Sequence, residues 1–387
     1  MSPTPLIGFV AGEASGDVLA APVVAALRAR VRDLQCAGIA GDRMLAEGCD
    51  AWWHVRELSV RGYVEVIREL PRLLRMRSAL RERLLQARPR AVVGVDAPDF
   101  NLGLESALRE SGIPTVHFVS PSIWAWRAGK IEAVRRAADL VLLVFPFEQA
   151  LYDRAGIRAT YVGHPLASVI PMHPDATAAR RALQLSAGRV VAVLPGSRRA
   201  EIDYIGPPFL GAVELLAREE STLQFVVPVA APSLRPRLEA LLGAAPTARS
   251  RLHLLDGRSH DALAAADAVL VASGTATLEA ALFKRPMVIA YRMPALSAWL
   301  TRIQAHARWV GLPNLLLQDD VVPELLQREA TPRNLAAALR RQLDDVAGRV
   351  RLVERFGRLH EDLSRDTAAL AADAICDVAG LDPRTTP

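Results

Sequence analysis

Short, wholly apolar runs alternate with amphipathic, helix-like stretches along the chain. The runs that predict buried strands are LIGFVA (Leu6–Ala11), AVVGVD (Ala91–Asp96), TVHFV (Thr115–Val119), LVLLVF (Leu140–Phe145), VVAVLP (Val190–Pro195), QFVVPV (Gln224–Val229), AVLVA (Ala268–Ala272) and MVIAY (Met287–Tyr291). Strands of this kind, alternating with helices, are typical of parallel sheets that helices cover on both faces. The pattern therefore predicts an α/β fold of doubly wound sheets.

The alternation pauses at GHPLASVIPMHPD (Gly163–Asp175). Pro165, Pro171 and Pro174 are unsuited to the interior of a helix or of a central strand, so this segment is the expected interdomain linker. We expect two Rossmann-like domains of similar size that face each other across a cleft.

Composition and charge narrow the class of protein. A chain of 387 residues that is 51% hydrophobic can bury the cores of two domains, and it has no apolar run long enough to span a membrane. The glycine-interrupted start reads as a first strand, not as a signal peptide. Three scattered cysteines indicate a reducing cytosol. The net charge is +5, and nearly all of the positively charged residues are arginines. Because no nucleic-acid-binding motif accompanies this charge, we expect no nucleic acid partner.

In doubly wound sheets, ligands bind beyond the carboxyl ends of the strands. AGEASGD follows the first run, and its small residues permit close backbone approach while Ser15 and Asp17 offer N-caps to the next helix. In VGVDAPDFN, Asp96 ends a strand where a general base would be useful, and Pro98 is expected to keep Ala97 extended and to delay the helix. Local pattern alone equally favours helix caps in both segments, from Ser15 or Asp17 in the first and from Asp96 or Asp99 in the second.

Two strand ends of the second half resemble anion cradles. In VLPGSRRAEI, Gly196 and Ser197 form a tight turn before a helix, and Arg198 adds a forked cation suited to a diphosphate. The alternative is a surface arginine on a first helical turn.

In VASGTATLEAAL, Ser273, Gly274 and Thr275 offer hydroxyl and backbone N–H groups at a helix start. Glu279 is out of register for a capping box and is free for sugar hydroxyls, unless it only complements the helix dipole. Two such cradles predict a nucleotide with a diphosphate.

Other chemistry has no motif here. We find no GxGxxG, no Walker A loop, no GxSxG and no metal-ligand spacing, so we expect neither a cofactor nor a metal. His117 and His164 lie near strand ends and are expected to be core histidines. Arg61–Arg90 carries nine arginines and three glutamates on a helix with leucines at helical spacing; its leucines are expected to pack on the sheet, and its arginine face suits anionic lipid.

GEASGD, GVDAPDFN, VSPSIWAWR (Val119–Arg127), LPGSRRAE, SGTATLE and GLPNLL (Gly311–Leu316) occur in the order found in lipid-A-disaccharide synthases, which this chain resembles from about Gly8 to about Leu326. The resemblance implies a GT-B glycosyltransferase that transfers 2,3-diacylglucosamine from UDP-2,3-diacylglucosamine to 2,3-diacylglucosamine 1-phosphate with inversion. The products would be UDP and the β-1,6 disaccharide 1-phosphate of lipid A biosynthesis.

The resemblance also implies which residues form each domain and which form the site. Residues 1–167 would form the acceptor-side domain with Ser15, Asp17 and Asp96, and a helix at about 366–378 would pack back on it. Residues 168–365 would bind the donor. The donor ligands would be Gly196, Ser197, Arg198, Ser273, Gly274, Thr275, Glu279 and Asn314. Asp96 would be the general base, and Arg198 would stabilise the leaving group.

The same resemblance implies peripheral attachment to the cytoplasmic face of the inner membrane of a Gram-negative bacterium. A homo-oligomer is compatible with the sequence, but no pattern in it indicates one. The Arg61–Arg90 segment and Tyr291–Trp309 are the expected membrane contacts, although Arg61 stands where an apolar residue is expected. Trp124 and Trp126 suit stacking or a structural role equally. The alternatives are another UDP-GlcNAc-using GT-B enzyme, either a peptidoglycan transferase or a 2-epimerase, and a non-catalytic acyl-lipid or nucleotide-binding protein.

Overall fold

The computed structural model describes residues 4–58, 63–121, 130–293 and 308–382. Within it the chain separates into two compact units, Met1–Ser168 with Leu363–Pro387, and Val169–Asp362. The boundary at residue 168 falls inside the proline-containing segment of residues 163–175. Part of that segment is a short helix that starts at Pro165, a position where a helix needs no N–H donor and therefore tolerates proline.

Parallel strands form a sheet in each unit. The strands are β1 (Leu6–Ala11), β2 (Gln35–Ala40), β3 (Cys49–His54), β4 (Ala91–Val95), β5 (Thr115–Phe118), β6 (Leu140–Leu143), β7 (Ala159–Tyr161), β8 (Val190–Leu194), β9 (Gln224–Val229), β10 (Leu252–Asp256), β11 (Ala268–Ala272), β12 (Met287–Tyr291) and β13 (Glu324–Leu326). In the described residues the sheet orders are β3-β2-β1-β4-β5-β6-β7 and β10-β9-β8-β11-β12-β13. Each order reverses once, between β1 and β4 and between β8 and β11.

Helices follow most of the strands. They are α1 (Ala14–Arg30), α2 (Asp42–Ala46), α3 (Tyr63–Ala87), α4 (Pro98–Glu110), α5 (Lys130–Ala137), α6 (Gln149–Ala155), α7 (Pro165–Val169), α8 (Ala176–Ala182), α9 (Arg199–Glu219), α10 (Arg235–Leu241), α11 (Ser259–Ala265), α12 (Thr275–Leu282), α13 (Leu312–Leu317), α14 (Pro332–Asp344), α15 (Val346–Leu363) and α16 (Thr367–Ala379). This alternation, with all strands parallel, confirms the predicted doubly wound α/β class.

The central strands are buried on both faces, which is why their sequences are continuous apolar runs instead of alternating ones. Every residue of β4, β8 and β11 is buried. In the second unit the core joins β8, β9 and β11 to α9 and α14, with Phe209 and Phe225 fully buried in it. The sheets therefore supply rigid platforms from which the strand-end loops project.

The sequence makes packing predictions for two helices of the first unit, α3 and α16. In α3, Leu80 and Leu84 are fully buried, while Leu70 and Leu74 are 47% and 45% exposed, so only the second half of the helix packs its leucines as predicted. The C-terminal helix α16 packs against α1, where Arg30 Nε lies 2.8 Å from Asp373 Oδ1.

Candidate active site

Two loops of the first unit lie side by side where its strand order reverses. Ala11 of β1 pairs with Val95 of β4, and the Gly12 N–H donates to the Val95 carbonyl at 3.3 Å. A Cβ on Gly12 would lie 2.0 Å from Ala97 Cβ, so a glycine is needed for this close approach. The GEASGD and DAPDFN segments are therefore in direct contact.

Asp96 and Ala97 both adopt left-handed backbone, with φ of +55° and +43°. The expectation that Pro98 keeps Ala97 extended is wrong, and so is the expected delay of the helix, because α4 begins at Pro98 itself. Non-glycine residues in this region cost about 1–3 kcal/mol each and persist only where the surroundings hold them, most often at functional sites.

The carboxylates of this motif do not cap α4. Its N-cap position is Ala97, and no side-chain cap is formed there. Asp99 Oδ1 instead accepts a hydrogen bond from Lys130 Nζ at 3.0 Å. The capping alternative for Asp96 and Asp99 is therefore wrong, and the half-buried Asp96 side chain stays available for another task.

Ser15 and Asp17 do not cap α1, which begins at Ala14 after an uncapped Glu13. Ser15 is exposed, whereas Asp17 is buried. The Asp17 carboxylate accepts hydrogen bonds from the backbone N–H groups at the start of α2: from Gly41 at 2.9 Å, Arg43 at 3.0 Å and Met44 at 3.0 Å. Asp17 therefore joins the GEASGD loop to α2, a structural role that the sequence did not indicate.

In the second unit the strand order reverses between β8 and β11, where Leu194 pairs with Val271. Gly196 follows β8 with φ of +114°. The backbone N–H groups of Ser197 and Arg198 donate to Glu201 Oε2 at 2.9 and 3.2 Å. These amides converge on one carboxylate oxygen, which is the geometry of an anion cradle.

The Arg198 side chain is 74% exposed and lies 3.6 Å from the Glu201 carboxylate. An exposed arginine paired with one neighbour at this distance is held weakly. Its guanidinium is therefore free to turn to a bound anion beside the cradle.

The second predicted cradle begins at Gly274, which has φ of +142° and precedes α12 without any side-chain cap. Thr275 is exposed at the helix start. The Ser273 hydroxyl donates to the Val310 carbonyl at 2.9 Å, and its oxygen keeps an acceptor site. Backbone N–H groups of the first turn are thus left for an anion.

Glu279 lies one turn further along α12, half-buried, with one carboxylate oxygen 3.7 Å from His260 Nε2. Burial raises the pKa of this carboxyl, and the neighbouring His260 opposes that rise. A carboxylate so placed accepts hydrogen bonds from a ligand hydroxyl without competing with a cap of its own helix.

Asn314 is buried and engaged within the unit. Its Nδ2 donates to the Val322 carbonyl at 2.8 Å and to Glu324 Oε1 at 2.9 Å, while its Oδ1 accepts from the Val322 N–H. Glu324 also accepts from the Val310 and Gly311 N–H groups. A ligand would have to break these bonds, so the predicted direct contact of Asn314 with the donor does not fit this arrangement.

The two strand-end histidines are core residues, as predicted. His117 is fully buried, with Nδ1 2.9 Å from Glu105 Oε1, and burial raises the pKa of that carboxyl. His164 is buried beside the ring of Phe145, and burial lowers its pKa to about 4.

Several predicted contacts lie outside the described residues: Arg61, Trp124, Trp126 and most of Tyr291–Trp309. Among the residues that are described, no helix is long and apolar enough to cross a membrane. The same part of the chain contains no cluster of histidine, cysteine, aspartate or glutamate suited to a metal ion.

Similarity to known proteins identifies the family of this chain. A protein-family model described as "Lipid-A-disaccharide synthetase" matches residues 7–375. A lipid-A-disaccharide synthase of Burkholderia lata is 51% identical over 374 residues, covering 96% of each chain. One of Cupriavidus pinatubonensis is 53% identical over 374 residues, covering 96% of this chain and 92% of the relative. The chain belongs to the lipid-A-disaccharide synthase family.

Solved structures with this fold include a putative UDP-N-acetylglucosamine 2-epimerase from Listeria monocytogenes, with TM-score 0.68, 13% identity and coverage of 97% and 96% of the two chains. CalG4, the calicheamicin glycosyltransferase, has TM-score 0.59 and 18% identity over 100% of both chains. These likenesses support the predicted GT-B fold of the synthase. Family and fold together confirm the predicted enzyme class, a glycosyltransferase of lipid A disaccharide synthesis.

Three polar residues of this synthase family member were missed by motif reasoning: Asn101, Glu201 and Glu324. Asn101 and Glu201 lie at the ends of motifs, and Glu324 lies in β13. Asn101 and Glu324 bond to backbone groups of other segments, whereas Glu201 bonds to N–H groups of its own motif. The signal that marks them is a polar residue inside an otherwise apolar or helix-starting stretch. Asn101, for example, is fully buried on α4.

Proposed function

We propose that this chain transfers 2,3-diacylglucosamine from UDP-2,3-diacylglucosamine to 2,3-diacylglucosamine 1-phosphate, releasing UDP and the β-1,6 disaccharide 1-phosphate. The observation that carries the proposal is the placement of the four chemical motifs. They occupy the strand ends at which the two sheets reverse their order, β1 and β4 in one and β8 and β11 in the other. This is where doubly wound sheets bind ligands.

The unit Val169–Asp362 binds the UDP portion of the donor. Gly196, Ser197 and Arg198 hold one part of the diphosphate, and the start of α12 at Ser273, Gly274 and Thr275 holds the other. Glu279 accepts hydrogen bonds from the ribose. The diphosphate takes the amides that Glu201 now occupies, and Asn314 supports the site through the loop before α13 instead of touching the donor.

Asp96 accepts the proton from the 6-hydroxyl of the acceptor as that oxygen attacks the anomeric carbon. An α-linked donor and a β-linked product require inversion, so one in-line displacement is sufficient. Arg198 and the amides of the two cradles stabilise the charge that develops on the departing diphosphate, and preorganised donors of this kind contribute about 3–4 kcal/mol each. Ser15, exposed in the first turn of α1, contacts the acceptor, while Asp17 shapes the GEASGD segment that carries Ser15.

We propose that the enzyme, whose substrates carry acyl chains, works at a membrane surface, on the cytoplasmic face of the inner membrane. Exposed Leu70 and Leu74 on α3, with Arg72 and Arg75 between and beside them, are the proposed contact. Leu70→Ser with Leu74→Ser should reduce sedimentation with anionic vesicles. Leu45→Ser, at a residue 41% exposed on α2, is the matched control and should not. Equal sedimentation of both variants and the unchanged chain would refute this contact. We expect no nucleic acid partner, and a homo-oligomer stays a hypothesis.

The decisive experiment supplies both acylated glucosamines to the purified chain and follows the products by mass spectrometry. The expected products are the disaccharide 1-phosphate and UDP in equal amounts. Donor binding without a disaccharide would favour the non-catalytic alternative, and conversion of UDP-GlcNAc alone would favour a 2-epimerase. Turnover should continue in EDTA, because the proposed residues supply the leaving-group stabilisation; its loss would contradict the metal-free mechanism.

A further inference from the structure

Asn101 is fully buried between two strand ends of the first unit. Its Nδ2 donates to the carbonyl of Asp96 at 2.8 Å, and longer contacts of 3.3 and 3.4 Å reach the carbonyls of Val10 and Val95. One amide group thus touches the end of β4 and the strand that leads into the GEASGD loop.

The backbone that this amide contacts is the left-handed pair Asp96–Ala97. The Asp96 N–H donates to the Phe118 carbonyl at 2.9 Å, and the Asn101 N–H donates to the Ala97 carbonyl at 3.0 Å. The Asn101 side chain adds a bond to the Asp96 carbonyl on the opposite side of that residue from its N–H. The strained conformation is therefore held from both sides of Asp96.

Asn101 is a costly choice if stability is its only role. Its Oδ1 is buried and accepts no hydrogen bond in the part of the chain that is described. A buried, unpaired acceptor costs about 1–3 kcal/mol, so the side chain loses part of what its donor contributes. Aspartate at this position would direct carboxylate oxygens at three carbonyl oxygens, and alanine would donate nothing.

We propose that Asn101 is a positioning residue for the reaction: its amide holds the Asp96–Ala97 turn in left-handed backbone and so aims the Asp96 carboxylate at the acceptor hydroxyl. This rests on the proposed function of Asp96 as general base. Asn101 touches no substrate, and its effect reaches the chemistry only through the orientation of Asp96.

The test compares Asn101→Ala with Thr115→Val in the full-length chain. Thr115 is equally buried and its hydroxyl donates to the Ala137 carbonyl at 2.6 Å, but it lies at the other end of β5 from Phe118. We expect Asn101→Ala to lower kcat about 10–100-fold per folded molecule while KM for the UDP donor stays within about twofold, since misplacement of a catalytic group by about 1 Å costs on this order. Thr115→Val should leave both constants unchanged.

Adding Ala97→Gly to Asn101→Ala supplies a residue that adopts left-handed backbone without strain. We expect this double variant to regain several-fold in kcat. No regain, or an Asn101→Ala enzyme with unchanged kcat, would overturn the proposal.

A crystal structure of Asn101→Ala provides a readout that does not depend on activity. Asp96 should leave the left-handed region, and an unchanged φ of Asp96 would refute the positioning role. Retained turnover in Asp96→Asn would instead refute the base assignment, so the two failures are distinguishable.

Discussion

The two sheets reverse their strand order in the same way, yet their strand ends are built differently. In the first unit the turn after β4 uses non-glycine residues, Asp96 and Ala97, at φ of +55° and +43°, and a buried amide holds it. In the second unit the turns after β8 and β11 use Gly196 and Gly274, at φ of +114° and +142°.

The difference follows from what each turn presents. The proposed general base, Asp96, carries its side chain on the strained residue itself, so the surrounding structure has to enforce the conformation. A diphosphate is held by backbone N–H groups, and a glycine in the turn adopts the positive φ that aims these groups without strain. A turn that presents a side chain for catalysis therefore needs surrounding contacts to hold it. A turn that presents backbone N–H groups needs a glycine that adopts positive φ without strain.

The largest expected effect concerns the turn at Asp96–Ala97. Asp96→Asn should reduce turnover by about a thousandfold or more while leaving UDP affinity nearly unchanged, because the amide cannot take the proton. Asp99→Asn is the matched control, three residues away with a side chain that is 93% exposed, and it should remain active. Single-turnover rates and UDP titrations measure the two quantities. Retained turnover would remove Asp96 as the base.

In the turn after β8, Arg198→Ala should weaken UDP binding by about 10–100-fold, on the scale of a lost charge-assisted hydrogen bond to phosphate. Arg199→Ala provides the control, since Arg199 is the next residue and its side chain is 83% exposed. Isothermal titration with UDP measures both. Equal UDP affinities in the two variants would refute the role of Arg198.

Gly196→Ala should lower UDP affinity by about tenfold, because an added Cβ would meet the Glu201 carboxylate at 2.4 Å and strain a backbone with φ of +114°. Gly257 also has positive φ, +67°, but open space around its Cβ position. Gly257→Ala should therefore cost stability without changing UDP affinity. If both variants bind UDP alike, the turn at Gly196 is not part of the cradle.

The smallest effect concerns pH. Burial raises the pKa of Glu279, and ribose hydroxyls bind its ionised form better, so UDP affinity should rise as pH increases through that raised pKa and fall by a few-fold below it. Glu279→Gln should flatten this dependence. Binding measured at mildly acid and neutral pH tests it; the same slope in both proteins would exclude Glu279 from the ribose contact.

Local pattern predicted the elements well, because burial on both faces leaves a direct record in apolar runs. It also predicted Gly196 and Gly274 as turn residues, because a tight turn constrains the residue types within it. It was wrong about Ala97, where the preference imposed by Pro98 is overridden by close packing on Gly12 and by the first backbone hydrogen bond of α4, from the Asn101 N–H to the Ala97 carbonyl. It also missed the exposure of Leu70 and Leu74, whose helical spacing matches that of the buried Leu80 and Leu84.

The parallel α/β class, the family and the strand ends at which the motifs lie can all be read from the sequence, since apolar runs and contiguous motifs are local properties. The partners of the polar residues, by contrast, depend on the folded arrangement of the chain. Asp17 bonds to N–H groups of Gly41 and Met44, and Asn101 bonds to the carbonyl of Val10, 91 positions away. Such pairings depend on strand order and helix placement, which bring distant backbone groups together, so no local pattern of residues records them.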